Sequence, residues 1–107
     1  MTTDKELLEL AAKAGGYDCV WEGDGDFINQ DTKLPWSSLE CPDDALELAV
    51  KLGISLSLAH DITGDVCAFR APVRVLESSI PNPLAATCRA ITRAAAEIQL
   101  AKEIDTK

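Results

Sequence analysis

Ile54-Ser-Leu-Ser-Leu-Ala-His60 alternates apolar and polar side chains without a break. That is the period of a strand with one face in a core and the other outside it. Such a strand needs partner strands along its edges and something apolar over its buried face. Asp61-Ile-Thr-Gly64 supplies a turn, and Asp65 to about Glu77 reads as the returning strand, bent near Pro72 because proline has no N–H for a ladder.

The helices that could cover this hairpin are marked at their ends. In Thr3-Asp-Lys-Glu6 a hydroxyl and a carboxylate three residues apart form a capping box. Leu7, Leu8, Ala11 and Ala14 follow at helical spacing, and Gly15-Gly16 ends the helix. The second helix is predicted over Glu40–Gly53. Pro42 suits its first position, Asp43 and Asp44 its positive end, and Gly53 its close. Ala45, Leu46, Ala49, Val50 and Leu52 are expected on its buried face. Ser78-Ser-Ile-Pro-Asn-Pro83 is a loop ending in Asn82 as cap and Pro83 as first helical residue, and the third helix runs to about Glu103. Leu84, Cys88, Ile91, Ala95 and Ile98 form the seam expected against the sheet.

Between the first two helices, Tyr17–Glu22 is rich in strand formers, Gly23-Asp-Gly25 is a turn and Asp26–Asn29 returns. Residues 30–40 read as an ordered loop with Trp36 pinned on the core. The order is α-β-β-α-β-β-α. An α+β fold is predicted for a single domain over residues 1–107, with one four-stranded, mainly antiparallel sheet carrying helices on both faces, an α/β/α sandwich.

Charge and cysteine use narrow the chemistry. Residues 1–47 carry twelve acidic and three basic groups, a net −9, whereas residues 48–107 carry six and seven, a net +1. The total of −8 opposes direct binding to nucleic acid or an anionic membrane. Cys19, Cys41, Cys67 and Cys88 are far apart, with a single histidine and no Cys-x-x-Cys pair. Free, mostly buried thiols in a reducing cytoplasm are expected, rather than zinc ligands or disulfides. No run approaches the ~20 apolar residues of a membrane span, and Met1–Glu6 has no signal-peptide core.

No catalytic constellation emerges. His60, beside Asp61, reads as a strand-end histidine. Ser55 and Ser57 lack a Gly-x-Ser-x-Gly elbow, and Gly23-Asp-Gly25 carries acids where a phosphate loop needs amides and a lysine. Glu22-Gly-Asp24-Gly-Asp26 lacks the further ligands of a calcium loop. The expectation is a non-enzyme without cofactor or metal.

Two stretches resemble a known family. Trp36 with Asp43-Asp-Ala-Leu-Glu-Leu-Ala-Val-Lys-Leu-Gly-Ile54, and Pro83-Leu-Ala-Ala-Thr-Cys-Arg-Ala-Ile-Thr-Arg-Ala-Ala-Ala-Glu-Ile98, are similar to the phage ABA sandwich domain family of small tailed-bacteriophage proteins. The likeness covers about two thirds of the chain. It implies a helix–sheet–helix sandwich and no catalytic residues. Trp36-Ser-Ser-Leu39 departs from the family's Trp-Asn-Pro-Leu, so this loop is expected to differ.

The expected role is therefore binding. Glu22, Asp24, Asp26, Asp31, Glu40, Asp43 and Asp44 form a candidate partner surface whose carboxylates could imitate a phosphate backbone. The partner would be a host protein, such as a nucleic-acid-binding effector complex, and the protein an anti-CRISPR-like inhibitor acting as a monomer or homodimer in the host cytoplasm. The alternatives are a nucleotide sponge with Arg89 and Arg93 as phosphate contacts, beside Arg70 and Arg74, or a structural or regulatory phage protein. Trp21 and Trp36 are expected in the core.

Overall fold

The structure, a computed structural model, describes residues 3–23, 26–58, 65–70, 73–78 and 83–105. Helix α1 (Asp4–Gly15) starts where Thr3 accepts the Glu6 amide on its hydroxyl, and ends where Gly16 (φ 78°) turns left-handed and donates back to Ala12 and Lys13. Helix α2 (Pro42–Leu52) begins at its proline and closes on Gly53 (φ 67°) in the same way. Helix α3 spans Pro83–Asp105. Asp24, His60 and the Asp61–Gly64 turn lie outside the described residues, as do Pro72 and the cap at Asn82.

The α+β class stands, but the single sheet does not. Strands β1 (Cys19–Glu22), β2 (Asp26–Asn29) and β3 (Leu34–Pro35) form one antiparallel sheet. Strands β4 (Ser55–Leu58), β5 (Asp65–Arg70) and β6 (Val73–Ser78) form a second. Where one four-stranded sheet was expected, each hairpin has recruited a strand of its own. The stretch read as a loop folds back so that Trp36 donates to the Phe27 carbonyl at 2.7 Å. Pro35 takes the outer edge, where its missing N–H would have pointed away from β2. The stretch from Asp65 to Glu77, read as one bent strand, is two strands paired with each other, from Asp65 opposite Ser78 to Arg70 opposite Val73.

Helices on both faces of one sheet are likewise replaced by a helical cluster. Helix α3 packs on β5 and β6 and also on α1 and α2, which contact each other. Its buried residues, among them Ala90, Ile91, Thr92, Ala94, Ala95, Ala96 and Ile98, point in nearly every direction around the axis. A helix apolar on most sides is a buried helix, and alanine lets neighbouring backbones approach closely. Of the predicted seam, Leu84 is exposed, while Cys88, Ile91, Ala95 and Ile98 are buried. On α2 the buried face is Ala45, Leu48 and Ala49. Leu46 and Val50 stand 58% and 74% exposed, so the predicted face was rotated toward solvent.

The smaller sheet is held to the core by aromatic packing. Trp21 stacks on Phe27 with centroids 4.5 Å apart. Phe27 meets Trp36 edge-on at 6.2 Å, and Trp36 meets Tyr17 at 5.0 Å. Tyr17 donates its phenol proton to Glu47 of α2 at 2.9 Å.

Candidate binding surfaces

The acidic residues singled out from the sequence divide into two groups. Glu22 and Asp26 are register partners at the end of the β1–β2 hairpin. Asp26 and Glu40 border one shallow depression of about 120 Å³ together with Trp21, Phe27 and Trp36. Two carboxylates fourteen positions apart, Asp26 and Glu40, therefore meet beside an aromatic floor, with Glu22 opposite Asp26 in the ladder. Only a hairpin turn and the chain's return through β3 bring them together.

Asp31 and Asp44 belong elsewhere. The β1–β2 register puts Asp31 beyond the opposite end of the hairpin from Glu22, more than three residue rises (over ~10 Å) away. With Asp18 and Asp44 it surrounds Cys19. Burial first, and then the charges of Asp18, Asp44 and Asp31, push that thiol up to about 11. The same neighbourhood acts on Tyr17. Its phenol is raised by burial first, then by its hydrogen bond to Glu47 and the charges of Glu47 and Asp44. Asp44 also has a structural task, since it accepts the Ser37 amide at 3.0 Å just before α2. Asp43 is exposed on the first turn of the same helix. Sequence reading missed Asp18 and Glu47 as members of this second group. Asp18 adjoins Cys19 in the strand-forming run, but Glu47 gave no sign of facing Tyr17 thirty residues earlier.

Arg89 and Arg93 do converge. They lie on the narrow polar stripe that α3 leaves uncovered, and with Leu7, Leu10, Glu97 and Leu100 they line a groove of about 290 Å³ between α1 and α3. Each guanidinium already holds a carboxylate: Arg89 pairs with Asp4 at 3.0 Å, and Arg93 with Glu77. Arg70 and Arg74 sit on β5 and β6 and do not line this groove.

The four cysteines are free thiols, with Cys88 buried and Cys19, Cys41 and Cys67 half-buried. Among the described residues no cluster of His, Cys, Asp or Glu is placed to hold a metal ion. Nor is any of their helices long and apolar enough to cross a membrane. Trp21 and Trp36 are packed as expected, with one addition: the indole N–H of Trp21 is buried without a hydrogen-bond partner.

The class that fold and surface define is a small α+β protein, with three helices and two three-stranded antiparallel sheets among the described residues. No family model, curated protein or solved structure matches the chain.

Proposed function

We propose that this protein acts by binding a basic partner protein through its acidic first half. The group formed by Glu22, Asp26 and Glu40 would be the centre of contact. The observation that carries this reading is that Asp26 and Glu40 border the Trp21–Trp36 depression, with Glu22 opposite Asp26 in the β1–β2 ladder. Carboxylates beside aromatic rings suit arginine and lysine side chains, which pair with the acids and lie over the rings. A basic, nucleic-acid-handling surface is the natural complement, because it is built to receive closely spaced negative charge. In the phage setting that the family resemblance suggests, such a partner is a host nuclease or effector complex, which the protein would inhibit by occupying its nucleic-acid groove from within the host cytoplasm.

Two charge-reversed variants test this. Glu22→Lys/Asp26→Lys/Glu40→Lys should abolish partner binding, measured by co-purification and calorimetry, without loss of thermal stability. Asp31→Lys/Asp43→Lys, away from the depression, should weaken it only through long-range attraction. Equal effects of the two, or retained binding by the first, would remove the reading.

A nucleotide-binding role for the Arg89–Arg93 groove draws support from its shared lining, but a phosphate would have to displace Asp4 and Glu77. No change in melting temperature across cyclic and linear nucleotides would eliminate it.

A further inference from the structure

Among the described residues no strand pairs with the outer edge of β1, and the geometry of that edge is specific. The Gln30 amide donates to the Asp18 carbonyl at 2.7 Å, and the β1–β2 register pairs Cys19 with Asn29, Val20 with Ile28, Trp21 with Phe27 and Glu22 with Asp26. Bonded and non-bonded pairs alternate along an antiparallel ladder. Asp18, Val20 and Glu22 therefore bond toward β2, while the N–H and C=O groups of Cys19 and Trp21 face away from the sheet. The Phe27 carbonyl confirms the alternation, since it bonds to Trp36 on its other side. The outward groups of Cys19 and Trp21 have no partner among the described residues. A groove of about 380 Å³ lies between Glu9, Ala12 and Lys13 of α1 and Cys19, Val20 and Trp21 of β1, and reaches Phe27 of β2.

From this we infer that β1 receives an extended, basic segment of a partner protein as a fourth strand, laid in the groove beside α1. The inference rests on the binding role proposed above and specifies how the partner is held. A strand edge next to a helix fits an extended peptide because main-chain hydrogen bonds supply the attachment and alternate side chains enter the groove. Charge selects the occupant. Asp18 and Glu22 flank the open segment and Glu9 lines the groove, three acids against Lys13 and Lys5, whose ammonium lies 4.9 Å from the Trp21 ring centroid. A second copy of this chain is disfavoured in the register that engages Cys19 and Trp21 of both chains. Antiparallel pairing of two β1 edges about Val20 would set Glu22 of one chain opposite Asp18 of the other, and like charges directly opposed destabilise a sheet.

The test uses the full chain and an acetylated, amidated heptapeptide of alternating lysine and valine. Its controls are the same peptide N-methylated at every amide and a glutamate–valine counterpart. The basic peptide should slow hydrogen exchange at the Cys19 and Trp21 amides and bind more weakly as salt rises. N-methylation should weaken it about tenfold or more, the equivalent of one or two lost hydrogen bonds. Equal binding of the N-methylated or the acidic peptide would overturn the inference. So would no binding up to about 1 mM, or protection of these amides that depends only on protein concentration, the mark of self-pairing. Cys19→Pro removes one outward N–H and should reduce peptide binding; the N-methylated peptide decides the matter if that variant is unstable. Loss of partner capture on reversing Glu22, Asp26 and Glu40, with no discrimination between peptides, would leave the acidic-surface reading standing and sink this one alone.

Discussion

Ser38 and Thr92, fifty-four positions apart, meet hydroxyl to hydroxyl at 2.7 Å where neither has any exposed surface. Thr92 also lies 2.8 Å from the Cys88 carbonyl. That carbonyl can only accept, so Thr92 gives it its single proton and receives Ser38's in turn. The pair ties the segment before α2 to the middle of the central helix.

The two ends of this bond should respond unequally to mutation. Thr92→Val leaves the Ser38 hydroxyl buried without an acceptor and should cost about 1–3 kcal/mol. Ser38→Ala leaves Thr92 its bond to Cys88 and should cost about 0.5–1.5 kcal/mol. The double variant should fall short of the sum of the two, because both remove one interaction. Urea unfolding of the four proteins measures all three quantities, and an additive cycle would contradict the pairing.

Adjacent glycines should fail for different reasons. A Cβ on Gly15 would lie 2.6 Å from the Tyr17 ring and 2.8 Å from Leu48 Cδ1. Gly15→Ala therefore overpacks the junction of α1 and α2 and should cost about 1–3 kcal/mol despite alanine's helix propensity. At Gly16 there is open space but a φ of 78°, so Gly16→Ala should cost about 1 kcal/mol from backbone strain alone. Trimming the obstacle separates the cases. Leu48→Ala should reduce the cost of the first substitution and leave the second unchanged, as read from denaturation midpoints.

Lys33 is a non-glycine residue with φ 63°, held there because its amide donates to the Asn29 carbonyl at 2.7 Å in the β2–β3 turn. Lys33→Gly should stabilise the protein by about 0.5 kcal/mol, the relief of left-handed strain less the added freedom of the unfolded chain. Lys33→Val should destabilise it by about 1–2 kcal/mol, since a β-branched side chain tolerates this conformation poorly. Opposite signs in thermal melts are the expected result.

Alkaline pH should weaken the protein through Cys19 and Tyr17. The folded Cys19 thiol titrates at about 11 against an ordinary 9.0, so the folded state holds this proton longer than the unfolded state. The associated stability is fully present below about pH 9 and lost as pH rises to about 11. Tyr17, shifted in the same direction, continues the decline at higher pH. Urea midpoints should therefore fall between about pH 9 and about pH 11. Cys19→Ala should flatten that fall; an unchanged slope would show that the proton is lost elsewhere. Slow alkylation of Cys19 at about pH 8 is the companion result, since the thiolate is the reactive form.

The candidate surface was legible only in pieces. The sequence named Glu22, Asp26 and Glu40 among seven acids, but a run of carboxylates carries no record of which share a face. The β1–β2 register separated Asp31 from the hairpin tip, and the Ser37 amide drew Asp44 into the start of α2. The open edge of β1 was not legible at all, because it depends on which strand stays unpaired.

What the sequence determined by itself is local. Thr3 with Glu6, Gly16, Pro42 and Gly53 mark the helix ends they were predicted to mark, since capping involves groups within a few residues of one another. The β1–β2 pairing, between strands three residues apart in the chain, is local for the same reason. Tertiary structure decided the rest: two sheets rather than one, and α3 as the shared neighbour of β5, β6, α1 and α2. It also buried Leu48 while leaving Leu46 and Val50 exposed. Strand partners and the choice of helix face are set by long-range packing, in which small residues such as Ala90 and Ala94 matter for how closely they let other elements approach. A period of apolar residues records that a face is buried somewhere; it does not record against what.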